Sequence, residues 1–173
     1  MKELLIISDG DDVRDLVEPH NGIRLIHIAE QRQIGAKRNY GCSRASGEYI
    51  CHWDDDDYSE PERIASQIAA LEANPQYAVT GYHSMRFTDG RLWWKYSGNV
   101  NYALGTSLCY RRSWWKDHPF RSQQIGEDND FVATAWALRS LHTADAGLLM
   151  HATIHRENTS PRQIGSAWVR IEA

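Results

Sequence analysis

Four aspartates stand in a row, Asp54–Asp57, directly after the apolar run Glu48–Trp53. Adjacent carboxylates repel one another, and a divalent cation with oxygen ligands relieves that repulsion. Magnesium and manganese both suit carboxylates combined with phosphate oxygens. The plain alternative is a solvated turn leading into a helix. Ser59 has the character of an N-cap, Glu62 follows three residues on, and Pro61 falls in the first turn. The helix dipole favours one or two of the charges, but four ask for more compensation. A strand's carboxyl end is also where open parallel sheets bind ligands, so the cation reading is preferred.

Other residues of the same chemical kind are weaker signals on their own. Ile125–Phe131, "IGEDNDF", places Glu127 and Asp128 at a helix start. There they serve the dipole, or one of them acts as a general base; spacing alone favours the first role. Lys37 and Arg38 lie in "QIGAKRNYG", as a solvated pair or as a fork for phosphate. The tail "HATIHRENTS" carries His151, His155, Asn158 and Thr159, and a lone histidine near a strand end is more often structural. Trp93-Trp94 and Trp114-Trp115 read first as core or interface packing, second as a stacking platform for sugar.

The elements that must position these groups follow an alternating order. Strands are expected at Glu3–Ser8, Gly22–Ile28 and Glu48–Trp53, with helices at Asp11–Glu18, Gln33–Ala45 and after Ser59. Ile64, Ile68 and Leu71 give the last helix a buried face. This alternation implies an α/β fold with a mainly parallel sheet. The second half is less regular. Strands are expected at Tyr77–Gly81, Ser84–Phe87, Leu92–Tyr96, Ser107–Arg112 and Gly147–His155. A helix is expected over Glu127–Leu141 with Phe131, Ala135 and Leu138 near one face, and a polar tail ends the chain.

With 173 residues and 42% hydrophobic content, one ordinary core and a single domain are expected. A net charge of −4 argues against binding that neutralises nucleic-acid phosphates. Cys42, Cys51 and Cys109 are odd in number and lack C-x-x-C spacing, so they read as reduced structural thiols of a cytoplasmic protein. No apolar run approaches the ~20 residues that span a bilayer, and no signal-peptide layout is present.

The order of motifs is more specific than any one of them. "GAKRNYGCSRASGEYICHWDDDDYSEPERI" (Gly35–Ile64) resembles the central block of family 2 glycosyltransferases of the GT-A fold. In that block an A-R-N-type helix, a G-E-Y-I strand and a D-x-D motif with a proline-led helix come in this sequence. "LLIISDG" (Leu4–Gly10) is similar to the family's second strand, "GEDNDF" (Gly126–Phe131) to its E-D motif and "HRENTS" (His155–Ser160) to its C-terminal H-x-x-N-T segment. Two departures stand out. The family's first strand-helix unit has no counterpart before Leu4, and Ser8 replaces the first aspartate of a D-D-G-S motif.

The resemblance implies a Rossmann-like, three-layer α/β/α GT-A fold, N-terminally shortened and filling residues 1–173 as one domain. Residues 1–75 would form the nucleotide-binding half and 76–173 the acceptor and catalytic half. The implied activity is metal-dependent, inverting transfer from a nucleoside diphosphate sugar, a UDP-sugar, to a saccharide or other acceptor hydroxyl. The implied cofactor is Mn2+ or Mg2+. Asp9 would contact the base, Arg38 the base or phosphate, and Asp54 or Asp55 the ribose. Asp56 and His155 would hold the metal, and Asp128 would be the general base. Glu127, Trp93 and Trp94 are candidates for acceptor contact or support. No nucleic-acid partner is expected, and self-association is compatible with the sequence. An inactive nucleotide-sugar or sugar-binding module is the alternative, motivated by the shortened start. A metal-dependent phosphohydrolase ranks last for want of a nucleophile.

Overall fold

The computed structural model describes residues 2–10, 12–156, 158 and 164–172. It begins with two parallel strands, β1 (Leu4–Asp9) and β2 (Ile23–Ile28), paired from Leu4↔Ile23 to Asp9↔Ile28. Between them lies a single 3-10 turn, Arg14–Leu16, where a helix over Asp11–Glu18 was expected. Asp11 itself lies outside the described residues. Helix α1 (Ile34–Arg44) then leads to the short strand β3 (Tyr49–Cys51).

Strands β1 and β2 form a sheet of their own. The larger sheet holds β4 (Tyr58–Ser59), β5 (Val79–Thr88), β6 (Trp93–Ser97), β7 (Cys109–Arg111), β8 (Leu141–Asp145), β9 (Met150–Thr153) and β10 (Trp168–Ile171) together with β3. Its main path runs β10-β6-β5-β7-β3, with β8 and β9 both parallel to β5. The α/β class is as expected, but most pairs in this sheet are antiparallel. The reason is local. Strands β5 and β6 are joined by the Asp89-Gly90 turn, with Gly90 at φ 86°, and a short turn can join only antiparallel neighbours. Strand β5 is continuous where two strands, Tyr77–Gly81 and Ser84–Phe87, were expected; a register shift between Tyr82 and Ser84 marks the interruption.

Helices cover both faces of the larger sheet, because successive residues of a strand face opposite ways. On β7, Tyr110 packs with Cys42 of α1 and with Phe131 of α4 (Glu127–Ala137). Its neighbour Cys109 lies on the side of α2 (Glu62–Ala73), whose Arg63 and Gln67 bond to backbone around that strand. Helix α3 (Arg112–Asp117) follows β7 directly. Helix α4 stops earlier than expected. Arg139 takes a left-handed φ of 55°, Leu138 is 56% exposed, and Leu141 begins a strand.

Helix α2 departs from its pattern in two ways. Ser59 sits in β4, and its hydroxyl accepts from Arg63 Nη1 at 2.9 Å where an N-cap was expected; Pro61 precedes the helix with no side-chain cap. The fully buried stripe is Arg63, Gln67 and Leu71, while Ile64 and Ile68 are half-buried. Arg63 donates to Gln67 Oε1 (3.2 Å), His52 O (3.0 Å) and Thr106 O (3.1 Å), and stacks over Trp53. A guanidinium is all donor, and this one is surrounded by acceptors.

Strands β1 and β3 belong to different sheets and are not paired, but side chains tie them at both ends. At their starts, the Glu3 carboxylate accepts from Ser46 N (2.6 Å), Ser46 Oγ (2.7 Å) and Gly47 N (3.2 Å). At their ends, Lys37 reaches Asp9 and Arg38 reaches His52. Leu4 and Gly10 direct their N–H groups to β2, so Leu5 and Ile7 direct theirs away from it. Likewise Glu48 and His52 bond to the β7 side, so Tyr49 and Cys51 turn their backbone outward. Both edges line one cavity of about 1870 Å3, flanked by Gly41 and Cys42 of α1 and by Ile64 and Ile68 of α2. No strand of the described residues occupies it.

Replacing Arg63 by Met leaves the His52 and Thr106 carbonyls without donors. The expected loss is roughly 2–4 kcal/mol of unfolding free energy, read from urea denaturation. A loss below ~0.5 kcal/mol would mean that these bonds do not hold the turn.

Candidate active site

The cavity between the sheets opens onto the turn that carries the aspartates. Its lining includes Arg38, Asp54, Asp55, Asp56, Asp57, Gly105, Glu127, Asp128, His155 and Asn158. Strand β3 delivers the run, β9 delivers His155, and the start of α4 delivers Glu127 and Asp128.

The four aspartates are not equivalent. Asp57 points inward and accepts from Thr106 Oγ1 (2.5 Å) and Thr153 N (3.0 Å). Burial pushes its carboxyl upward; these two bonds oppose that, while Asp54 and Asp56 add to it. Asp56 is exposed and meets His155 Nε2 at 2.7 Å, with Asn158 Nδ2 at 3.4 Å from the same oxygen. Asp55 is exposed, and Asp54 is half-buried. One oxygen from each of Asp54, Asp56 and Asp57 lies within 4.8 Å of the others. These donors fit a divalent cation such as Mn2+ or Mg2+, since all are hard oxygens and a nearby positive charge would lower the cost of ionising Asp57. Glu157, Thr159 and Ser160 of the tail motif lie outside the described residues.

Arg38 joins the two sides. Its Nε lies 3.2 Å from Glu127 Oε1, Nη1 meets His52 Nδ1, and Nη1 is 3.5 Å from Gly105 O. Burial pushes the Glu127 carboxyl up and the Arg38 charge opposes it. His52 is held neutral by burial and by the adjacent Arg38 charge. With Nδ1 accepting from Arg38, its Nε2–H donates to Tyr110 Oη at 3.0 Å. Asp128 is half-buried and faces the cavity beside Gly105. A Cβ on Gly105 would lie 2.2 Å from Asp128 Oδ2, so only glycine leaves the carboxylate its place.

Three expected residues lie elsewhere. Asp9 does not line the cavity. Its carboxylate accepts from Lys37 Nζ (2.6 Å) and Arg32 N (2.8 Å), and Lys37 is the residue that faces the cavity. Burial works against the Asp9 charge, but these donors hold its carboxyl below the ordinary value. Trp93 and Trp94 sit on β6, away from the lining. Trp93 meets His151 and Arg86, and Trp94 is buried. Sequence reasoning passed over Arg63, His52, Gly105 and Thr106. One signal was available: Arg63, Gln67 and Leu71 share a helical face at i, i+4 and i+8.

Fold and site together define an α/β protein with an acidic rim at the end of a strand, opposite a helix that begins in carboxylates. The chain belongs to glycosyl transferase family 2, whose family model matches residues 2–141. A cholesterol galactosyltransferase of Borreliella burgdorferi is 39% identical over a 64-residue alignment that covers 34% of this chain and 18% of that protein. S. aureus TarS 1–349 in complex with UDP-GlcNAc superimposes with a TM-score of 0.74 at 19% identity, covering 94% of this chain and 52% of that 1–349 chain. The mannosyltransferase PcManGT from Pyrobaculum calidifontis, in complex with GDP-Man and Mn2+, gives 0.66 at 15% identity, covering 91% of this chain and 49% of that one. The chain spans about a quarter or less of the length of the curated relatives it matches. No helix among the described residues is long and apolar enough to cross a membrane.

The depressed Asp9 carboxyl has a pH signature. A group whose folded value lies below its unfolded one stabilises the fold above the unfolded value, here 3.8, and that stability is lost as pH falls through the folded value. Asp9→Asn should therefore flatten the loss of urea stability below about pH 4, with the wild type falling more steeply. Parallel curves would show that Lys37 does not favour the ionised form.

Proposed function

We propose that this chain is a metal-dependent, inverting glycosyltransferase that moves a sugar from a nucleoside diphosphate sugar, a UDP-sugar, to a saccharide or other acceptor hydroxyl. One observation carries this reading: a single cavity gathers the Asp54–Asp57 cluster with His155, the Arg38 guanidinium and the Asp128 carboxylate. Family membership supports it, as do the nucleotide sugars bound by TarS and PcManGT.

Asp56 and His155, with Asp54 and Asp57 close by, would hold the divalent cation. When bound, that cation supplies positive charge against the diphosphate as it departs. Asp54 and Asp55 accept hydrogen bonds from ribose hydroxyls. Arg38 presents to the base or phosphates the guanidinium donors that Glu127, His52 and Gly105 leave free. Lys37, which faces the cavity and is held by Asp9, would be the base-side contact. Asp128 accepts the proton of the acceptor hydroxyl as its oxygen attacks the anomeric carbon in line with the leaving group. A single in-line displacement inverts that carbon. Glu127 keeps Arg38 aimed, a positioning role.

A second reading is a nucleotide-sugar-binding module without turnover. The open cavity between β1 and β3 favours it, because no backbone ladder joins those two strands.

Calorimetry with Mn2+ should show nucleoside diphosphate binding that Asp56→Asn abolishes. Asp128→Asn should retain that binding and lose transfer by about 10²–10⁴-fold. No binding by pure, metal-loaded protein sinks both readings. Binding with neither transfer nor Asp128-dependent donor hydrolysis leaves the module.

Gly105→Ala offers a separate check on Asp128. The added Cβ should re-aim the carboxylate and reduce transfer at least ~10-fold, with roughly 1–3 kcal/mol lost in stability and nucleotide affinity unchanged. Unchanged transfer would remove Asp128 from the reacting centre.

A further inference from the structure

Cys51 and Cys109 face each other across β3 and β7, in direct register. Their Sγ atoms are 2.9 Å apart and neither is in a disulfide. Glu48 with Arg112 and His52 with Leu108 are hydrogen-bonded pairs of this ladder. Alternation therefore makes Cys51–Cys109 a non-hydrogen-bonded pair, the kind whose Cα atoms stand closest, at about 4.5 Å. That separation falls inside the ~4.4–6.8 Å that a disulfide spans. Two free thiols thus already occupy positions from which a bond can close with little movement of either strand.

Access differs between the two sulfurs. Cys51 is half-buried and lines the large cavity, so a small oxidant in that space can reach it. Cys109 is fully buried and does not line the cavity. Reactivity differs in the same sense. The contact with Cys109 lowers the Cys51 thiol, burial opposes this, and the Arg63 guanidinium lowers it further. The same contact, and burial, raise Cys109. Cys42 is placed differently: it is buried, bonded to Tyr110 Oη at 3.1 Å, and pushed up to about 11 by burial.

We propose that Cys51 and Cys109 are an oxidisable dithiol, a modification site at which a small peroxide closes a disulfide between β3 and β7. The Cys51 thiolate attacks one oxygen of hydrogen peroxide and the O–O bond breaks. This leaves a Cys51 sulfenic acid and a hydroxide, which takes up the proton that Cys51 released. Cys109 then attacks Cys51 Sγ, its proton goes to the departing oxygen, the S–O bond breaks and water leaves. Two thiols lose two electrons and two protons, and one peroxide becomes two waters. The bond would tie the strand that ends in the aspartate run to the strand that follows Thr106.

The test treats the full chain with hydrogen peroxide, alkylates the remaining thiols and maps the peptides without reduction. The expected product has lost the mass of two hydrogens, contains a Cys51–Cys109 linkage and retains an alkylated Cys42. In Cys109→Ser, oxidation should stop at a Cys51 sulfenic acid that dimedone captures. Three alkylated thiols in the treated wild type, a sulfinic Cys51, or a linkage through Cys42 or between chains would each overturn the proposal. So would an unchanged loss of two hydrogens in Cys109→Ser.

Discussion

The two sheets of this protein share no backbone ladder among the described residues, so their alignment rests on α1 and on the Glu3 contacts with Ser46 and Gly47 just after it. Consecutive residues of that helix take opposite partners: Lys37 holds Asp9 at the end of β1, and Arg38 holds Glu127 at the start of α4. Both carboxylates are largely buried, 7% and 6% exposed, so removing either cation would strand a charge. Glycines let the helix come close enough. A Cβ on Gly35 would lie 1.8 Å from Arg121 O, and one on Gly41 would press on Ile7. The site therefore depends on a helix whose backbone touches both halves of the protein.

The same economy governs the aspartate turn. Repulsion among four carboxylates is eased by sending them to different surroundings. Asp57 turns inward to Thr106 and Thr153, and Asp56 turns out to His155. Arg63 anchors the turn from beneath through His52 O, Thr106 O and Ser59 Oγ. No carboxylate is hydrogen-bonded to this guanidinium among the described residues, so the aspartates above remain available to a cation. Neutral acceptors can hold a buried guanidinium when every donor finds one.

What the sequence disclosed and what it hid divide along the range of the interactions involved. The order of the first three strands, α1 and α2, and the acidic turn could be read from local patterns. So could the carboxylates at the start of α4. The second half could not, because β5 is the hub of partners up to 65 residues away (Arg86↔His151) and nothing local specifies them. Leu141 reads as the end of a helix, and His142–Asp145 as no regular element, until their pairing with β5 is known. Apolar spacing also misdirected the reading of α2. Ile64 and Ile68 look like core, yet they flank a cavity while the polar Arg63 and Gln67 are buried. The hydrophobic pattern finds a helix's buried face only when that face is apolar. The thiol pair was hidden for the same reason: Cys51 and Cys109 meet only through the β3–β7 register.

A site divided between two sheets binds differently from a pit in one rigid wall. Lys37 of α1 faces the cavity beside β1, the aspartates face it from the end of β3, and no ladder joins those strands among the described residues. A ligand that touches both sides becomes a tie between them, and its binding free energy adds to the free energy holding the sheets in register. The half-exposed Leu5, Ile6 and Ile7 are the physical mark of that arrangement. Such a run at the centre of a closed parallel sheet would be buried on both faces. Here it borders open space, so its contribution to stability falls short of what its composition could supply. Occupancy of the cleft would then register in the stability of the whole chain, because the gap between the two sheets and the candidate site are the same place.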